Sequence, residues 1–277
     1  MLPYMHSRHV TITKELGETP LQALSRVRDR YYLPTTIPLA YAGRLDPMAS
    51  GKLLVLVGDE CKKQASYHSL DKEYKFEILF GVRSDSGDIL GIPSLAKAKQ
   101  YTGKELRALA HSTPKTLTLP YPTFSSKTVR GKPLFLWTLE NRLGEIEIPE
   151  ATTRIYALDY INSKSITREV LLRTIHERIA LLTTVTEESK KLGADFRRKE
   201  ILSAWDILLS SQNELLPQSF QIAQFSCICS SGTYIRSLAP YLAQKLGTSG
   251  LAYSIDRAQI GRYFPLPLIG GVWLKKY

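Results

Sequence analysis

Cysteine is scarce in this chain, with Cys61, Cys227 and Cys229 the only three in 277 residues. Three thiols are too few for a disulfide framework, which suits a reducing cytoplasm. No closely spaced histidines accompany them, so the ligand set of a zinc site is missing. No uninterrupted apolar run approaches the length of a membrane span, and the N-terminal Met1-Leu2-Pro3-Tyr4-Met5-His6 has no signal-peptide core. Neither a P-loop nor a dinucleotide-binding fingerprint occurs. Acidic residues are outnumbered, 26 against 37 Lys and Arg, leaving a net charge of +11 and a pI near 9.5. That balance favours a polyanionic partner, and charge alone suits DNA, RNA or an anionic membrane equally. A chain of this size, 43% hydrophobic, builds one large domain or two small ones.

The stretch from Tyr41 to Lys63 is the most informative part of the chain. Its centre is Asp46, followed by Pro47, which disfavours the helical region for Asp46 and removes a backbone donor beside it. Gly43 and Gly51 flank the pair, where the backbone can turn sharply or admit another chain. Leu53 to Val57 is continuously apolar and ends at Gly58, the pattern of a strand buried on both faces. Asp46 therefore sits on a tight loop that feeds a core strand. Such turns are also ordinary punctuation, so the surrounding string decides between the two readings.

In chain order, Thr19-Pro20-Leu21-Gln22 has the form of a capped helix start, and Leu21, Leu24 and Val27 predict an amphipathic helix over about 20–31. Its Arg26, Arg28 and Arg30 suit either phosphate contact or a solvated face. A helix is expected over 62–70, then a half-buried strand in which Tyr74, Phe76, Ile78 and Phe80 face one way. Thr102 to Glu105 is a capping box opening a helix to about His111, whose charge suits that helix's C-terminus. Strands are expected over 154–161 and 220–229. Between them Leu171, Ile175, Ile179 and Leu182 mark one helix, stopped by Lys190-Lys191-Leu192-Gly193, and Ile201, Trp205 and Leu208 mark a second. The resulting hairpin, about 163–218, carries Lys190, Lys191, Arg197, Arg198 and Lys199 near its tip, a solvated face or an RNA contact. A last helix follows Gly232-Thr233-Tyr234-Ile235-Arg236; Pro240 suits it best if it starts near Ser237.

Gly43-Arg44-Leu45-Asp46-Pro47 with Ala49-Ser50-Gly51 and the apolar strand resembles the signature of pseudouridine synthases, most closely the TruB type. Lys14 to Thr19 is similar to that family's Lys-Pro-x-Gly-x-Thr, with Glu15 in place of proline. Gly81 to Asp85 resembles its Gly-x-Arg-x-Asp turn, and Gly232 to Arg236 its Gly-Thr-Tyr-Ile-Arg. Ile255-Asp256-Arg257 resembles Leu-Arg-Arg, with Asp256 replacing an arginine. Pro120 to Lys127 is similar to Pro-Pro-x-Tyr-Ser-Ala-x-Lys, with Tyr121 in place of the first proline and the lysine one position early, and no role is assigned to it. Tyr41 stands where the family carries histidine. Arg44-Leu45-Asp46 also echoes sister synthases that act on ribosomal RNA.

The resemblance implies an α+β pseudouridine synthase fold: a mixed, largely antiparallel sheet flanked by helices, with an RNA cleft across it. It implies isomerisation of the T-loop uridine of tRNA (position 55) after the base is flipped out, with no cofactor and no metal. Asp46 is implied as the attacking carboxylate, Arg236 as the cation that keeps it ionised, and Tyr74 as a catalytic and stacking residue. Tyr41, Tyr234 and Ile255 are implied as walls for the flipped base. The expected partner is the T-arm of tRNA, with no membrane partner, and the expected form is a monomeric catalytic domain spanning 1–277. In this reading the family's C-terminal PUA domain has no room, and the 163–218 hairpin has no counterpart in the bacterial pattern. The alternatives are a synthase acting on another RNA and a non-catalytic tRNA-binding chaperone on the same scaffold.

Overall fold

The computed structural model describes residues 8–182, 197–210, 216–266 and 270–277. Strand β1 (His9–Lys14) leads into helix α1 (Pro20–Arg30), then β2 (Leu39–Ala42) and β3 (Ala49–Val57). A 3-10 run, Gly58–Tyr67, connects to β4 (Asp71–Phe80). Short strands β5 (Val82–Ser84) and β6 (Pro93–Leu95) precede α2 (Gly103–Ser112) and β7 (Thr116–Pro120). Next come β8 (Thr128–Val129), β9 (Lys132–Pro133), α3 (Leu134–Leu139) and the long β10 (Glu150–Thr167). The chain continues through α4 (Arg168–Ala180), α5 (Arg198–Leu209), β11 (Ser219–Cys229), α6 (Ile235–Lys245), β12 (Gly250–Leu266) and β13 (Gly270–Lys276).

Nine strands form one sheet in the order β1-β3-β12-β4-β11-β10-β7, with β2 paired to β3 and β13 to β12. All of these pairings are antiparallel except β3 with β12. The fold is therefore α+β with a mixed, largely antiparallel sheet. Leu53, Leu54, Val55 and Leu56 are fully buried, as a continuous apolar strand requires. One face of β3 packs under α1 through Ala23, Leu24 and Val27 against Ile12, Leu53 and Val55. The larger core joins Phe76, Phe225, Leu238, Leu242 and Trp205. Each such fully buried large side chain contributes roughly 1.5–3 kcal/mol. Helices α1 and α2 both start with complete capping boxes, Thr19 with Gln22 and Thr102 with Glu105. Among the described residues no helix is long and apolar enough to cross a membrane.

Four details differ from the sequence-based expectations. The 62–70 helix is instead the 3-10 run Gly58–Tyr67. The strand expected to end at 161 runs on to Thr167, because Ser163 to Thr167 stay paired with Ala223 to Ser219 of β11. Thus 163–167 is sheet and not the start of a helical hairpin, and the Thr167 hydroxyl accepts from Val170 N to cap α4. Helix α6 begins at Ile235, two residues before Ser237, so Pro240 lies in its interior. Helices α4 and α5 do pack together, burying Leu171, Ile175, Ile179, Ile201 and Trp205. The stop signal at Lys190-Lys191-Leu192-Gly193 lies outside the described residues.

Candidate active site

Asp46 opens a four-residue turn. Pro47 supplies the fixed φ that suits the second position of such a turn, and the Asp46 carbonyl accepts from Ala49 N at 3.0 Å. The Pro47 carbonyl accepts from Gly17 N at 2.8 Å, tying the turn to the end of β1. Beyond it, Ala49, Ser50 and Gly51 pair in parallel with Ile255, Asp256 and Arg257 of β12. Arg257 is 1% exposed. Its guanidinium donates to the carbonyls of Gly43 at 3.0 Å, Arg44 at 3.4 Å and Lys52 at 2.7 Å. The loop that presents Asp46 is thus stapled at both ends from beneath.

Arg236 reaches Asp46 from the first turn of α6. Its Nε donates to Asp46 Oδ2 at 2.7 Å, Nη1 to the Ser86 carbonyl at 3.2 Å and Nη2 to the Phe124 carbonyl at 3.1 Å. A second carboxylate, Asp88, lies 3.6 Å from Arg236 Nε. The ion pair is asymmetric in burial: the Arg236 side chain is 5% exposed and that of Asp46 31%. A hidden cation therefore faces a carboxylate that a substrate can reach. Burial works against the charge of Arg236, but Asp46 and Asp88 together hold its pKa above the ordinary guanidinium value. Asp88 is held by the Ser86 hydroxyl at 2.6 Å and Leu90 N at 2.9 Å. Burial pushes its carboxyl up to about 6, against the opposing pull of Arg236.

Tyr74 of β4 pairs in register with Arg257 and is buried. Burial pushes its phenol up to about 12, with Arg257 opposing. It is a neutral ring at any physiological pH, suited to stacking and not to service as a phenolate. Ile255 packs in the same core as Tyr74, Leu45 and Met48. Tyr234, immediately before α6, meets Tyr121 edge to face at 5.2 Å, and Lys127 lies over the Tyr121 ring at 5.0 Å. Burial raises the Tyr234 phenol, followed by Tyr121 and Asp46.

Asp46 and Arg236 are thus in direct contact, and Tyr74, Tyr234 and Ile255 lie around the same loop and strand. Tyr41 is set aside from them. Its ring packs with the cluster beneath α1, and its hydroxyl accepts from Arg44 Nη2 at 3.3 Å.

Several contributors went unassigned on sequence. Asp88, Ser86 and the Phe124 carbonyl complete the cradle of Arg236, and Arg257 braces the loop. Two buried lysines sit nearby. Lys14 Nζ donates to the carbonyls of Glu15 and Glu18, and burial lowers it to about 8 while Glu18 and Asp46 oppose. Lys72 donates to the Leu70 carbonyl; burial and then Arg257 lower it to about 8. The available signals were the Gly81–Asp88 turn, dense in Asp, Ser and Gly, and Arg257 inside a string already singled out.

A sequence model of the N-terminal domain of the TruB family pseudouridylate synthases matches residues 35–178. The tRNA pseudouridine synthase B of Caldicellulosiruptor saccharolyticus is 24% identical over 250 residues, 90% of this chain and 66% of that protein. The tRNA pseudouridine synthase 4 of Saccharomyces cerevisiae is 27% identical over 244 residues, 80% of this chain and 60% of that protein. The chain therefore spans less than two thirds of the length of either relative. In the crystal structure of a Cbf5-Nop10-Gar1 complex, one chain shares the fold with a TM-score of 0.52 at 13% identity, over 91% of this chain and 48% of its own length.

Proposed function

Given that the chain belongs to the TruB family of pseudouridylate synthases, we propose that it isomerises uridine to pseudouridine in tRNA, at the T-loop uridine, with Asp46 as the attacking carboxylate. The observation that carries this reading is the 2.7 Å pair between a reachable Asp46 and a buried Arg236. A carboxylate leaving water tends to take up a proton, and an adjacent opposite charge keeps it ionised. The guanidinium is suited to that role because it stays charged in a buried site. The names of the relatives, tRNA pseudouridine synthases B and 4, support tRNA as the substrate.

The reaction breaks the bond between N1 of the base and C1′ of the ribose, turns the base, and joins C5 to C1′. C5 gives up its proton and N1 gains one, so the product is an isomer of the substrate. Asp46 attacks the base or the sugar to release the glycosidic bond. The base must first leave its stack, at a cost of about a few kcal/mol. A ring such as Tyr74 returns about 1–3 kcal/mol by stacking on it, enough to offset much of that cost. Ile255 supplies an apolar wall and Tyr234 a second aromatic edge.

The experiment is position-resolved mapping of pseudouridine on an unmodified tRNA transcript treated with wild type or Asp46→Asn. T-loop conversion by wild type and none by the variant is expected. Conversion at a different site or in another RNA refutes the T-loop assignment. Binding without conversion by wild type would instead make the protein an RNA-binding scaffold.

A further inference from the structure

The α4–α5 pair carries a cation whose partners lie behind the catalytic pair. Arg197 immediately precedes α5 in a left-handed conformation, φ 55°, and its side chain makes no cap to the helix. It turns inward instead. Nη1 donates to Asp85 Oδ2 at 2.7 Å and Nη2 to Asp85 Oδ1 at 3.3 Å, while the guanidinium carbon lies 4.1 Å from the centre of the Phe124 ring. Its side chain is 20% exposed. Arg198 donates to the Leu182 carbonyl. The basic tip read from sequence as a solvated or RNA-facing run is therefore partly turned into the protein, with Lys199 left exposed.

Both targets of Arg197 adjoin the acceptors of Arg236. Asp85 precedes Ser86, whose carbonyl takes Arg236 Nη1, and Phe124 itself gives its carbonyl to Nη2. Asp85 Oδ1 also accepts from Ile92 N at 2.8 Å, closing the loop that holds Asp88, and the Asp85 carbonyl accepts from the Thr123 hydroxyl at 2.9 Å. From the same helix Trp205 Nε1 donates to the Ile89 carbonyl at 3.1 Å. Backbone carbonyls on loops aim a guanidinium only as well as the loops are held. One planar fork lies across both of them.

We infer that Arg197 is a positioning residue for catalysis: by clamping Asp85 and stacking on Phe124, it fixes the two carbonyls that aim Arg236 at Asp46. The inference rests on the functional reading above. The matched family segment stops inside α4, so α5 and Arg197 lie outside it while Asp85 and Phe124 lie within it. Geometry of this kind acts on the chemical step and not on RNA affinity, because Arg197 spends its charge on Asp85.

The test compares Arg197→Gln, Arg197→Lys and the exposed control Lys199→Gln in single-turnover pseudouridine formation on a tRNA transcript. Hydrogen exchange of segments 85–92 and 120–127 is measured alongside. The expected result is a rate at saturating RNA about tenfold lower in both Arg197 variants. Half-saturation should stay within about twofold, exchange in both segments should quicken, and Lys199→Gln should match wild type. Lysine keeps the charge but not the fork, so Arg197→Lys decides the matter where Arg197→Gln fails to fold. Lost RNA affinity at an unchanged maximal rate overturns the inference in favour of an RNA contact, and an unchanged rate overturns it outright. Should wild type form no pseudouridine, the functional reading fails by itself. Exchange then still decides, because unchanged protection in the Arg197 variants refutes the clamp.

Discussion

Gly51 and Arg257 meet backbone to backbone in the parallel pairing of β3 with β12. A Cβ on Gly51 would lie 2.5 Å from the Arg257 carbonyl oxygen and 2.6 Å from its nitrogen, and Gly51 holds φ at +104°. This close approach lets the buried Arg257 side chain turn back under the Asp46 loop. Gly51→Ala therefore combines an unfavourable backbone conformation with a main-chain clash that no side-chain rotation relieves. A loss of about 2–4 kcal/mol is expected, seen as a midpoint lower by roughly 4–16 °C in thermal unfolding. A midpoint within a degree of wild type would show that the two strands part easily, and that the loop is not held as described.

Arg236→Lys keeps a positive charge beside Asp46 but cannot serve Asp46, Ser86 and Phe124 together. A lysine has one compact donor head where the guanidinium has a flat fork. The single-turnover rate should fall about a hundredfold, with thermal stability close to wild type if the amine still pairs with one carboxylate. A variant rate within twofold of wild type would mean that only the charge matters and the fork does not.

Much of this arrangement was legible in the sequence. Asp46, Tyr74 and Arg236 each sit inside an unbroken string whose residue types suit one chemistry, and the apolar periods of Leu53–Val57 and Tyr74–Phe80 place two of them on core strands. Arg257 and Asp88 were not assigned, because the parallel pairing of β3 with β12 and the approach of α6 to the Asp88 loop leave no local pattern. Residues 163–167 gave no strand signal: Ser163, Lys164 and Ser165 are exposed, so the segment lacks the alternation that marks a half-buried strand. The interior Pro240 of α6 was unexpected for a physical reason. Proline lacks the N–H that the Arg236 carbonyl would otherwise receive. Gly87 approaches that same carbonyl so closely that a Cβ would lie 2.3 Å away. Only the folded chain reveals that fit.

Asp88 makes stability fall as pH rises through the mildly acidic range. Its carboxyl titrates near 6 in the folded protein against an ordinary 3.8. Between those values the folded state holds a proton that the unfolded chain has lost, so unfolding becomes easier as pH increases. Asp88→Asn keeps an oxygen for Ser86 and Leu90 but cannot ionise. Denaturant titrations at several pH values should show the difference between wild type and variant changing by about 2 kcal/mol from pH 4 to 6, to the disadvantage of wild type. Parallel profiles would rule out a burial-strained carboxylate at this position.

Lys72 acts in the opposite direction on the alkaline side. Burial, reinforced by Arg257, lowers its ammonium from 10.5 to about 8 in the folded protein. From pH 8 to 10.5 the unfolded chain therefore carries a proton that the folded chain has released, and stability rises with pH over that window. Lys14 shares this behaviour, lowered to about 8 by its own burial, so replacing one lysine should remove only part of the rise. Lys72→Met fills similar space and discards the charge, at the loss of one donation to the Leu70 carbonyl. At pH 7 the variant should be as stable as wild type or up to about 2 kcal/mol more so, since a buried cation without a carboxylate partner costs more than one hydrogen bond to a carbonyl returns. Above pH 9 that advantage should shrink, as the wild-type ammonium deprotonates and its burial no longer carries a penalty. Equal stabilities at every pH from 7 to 10 would mean that Lys72 reaches water well enough to keep its ordinary pKa.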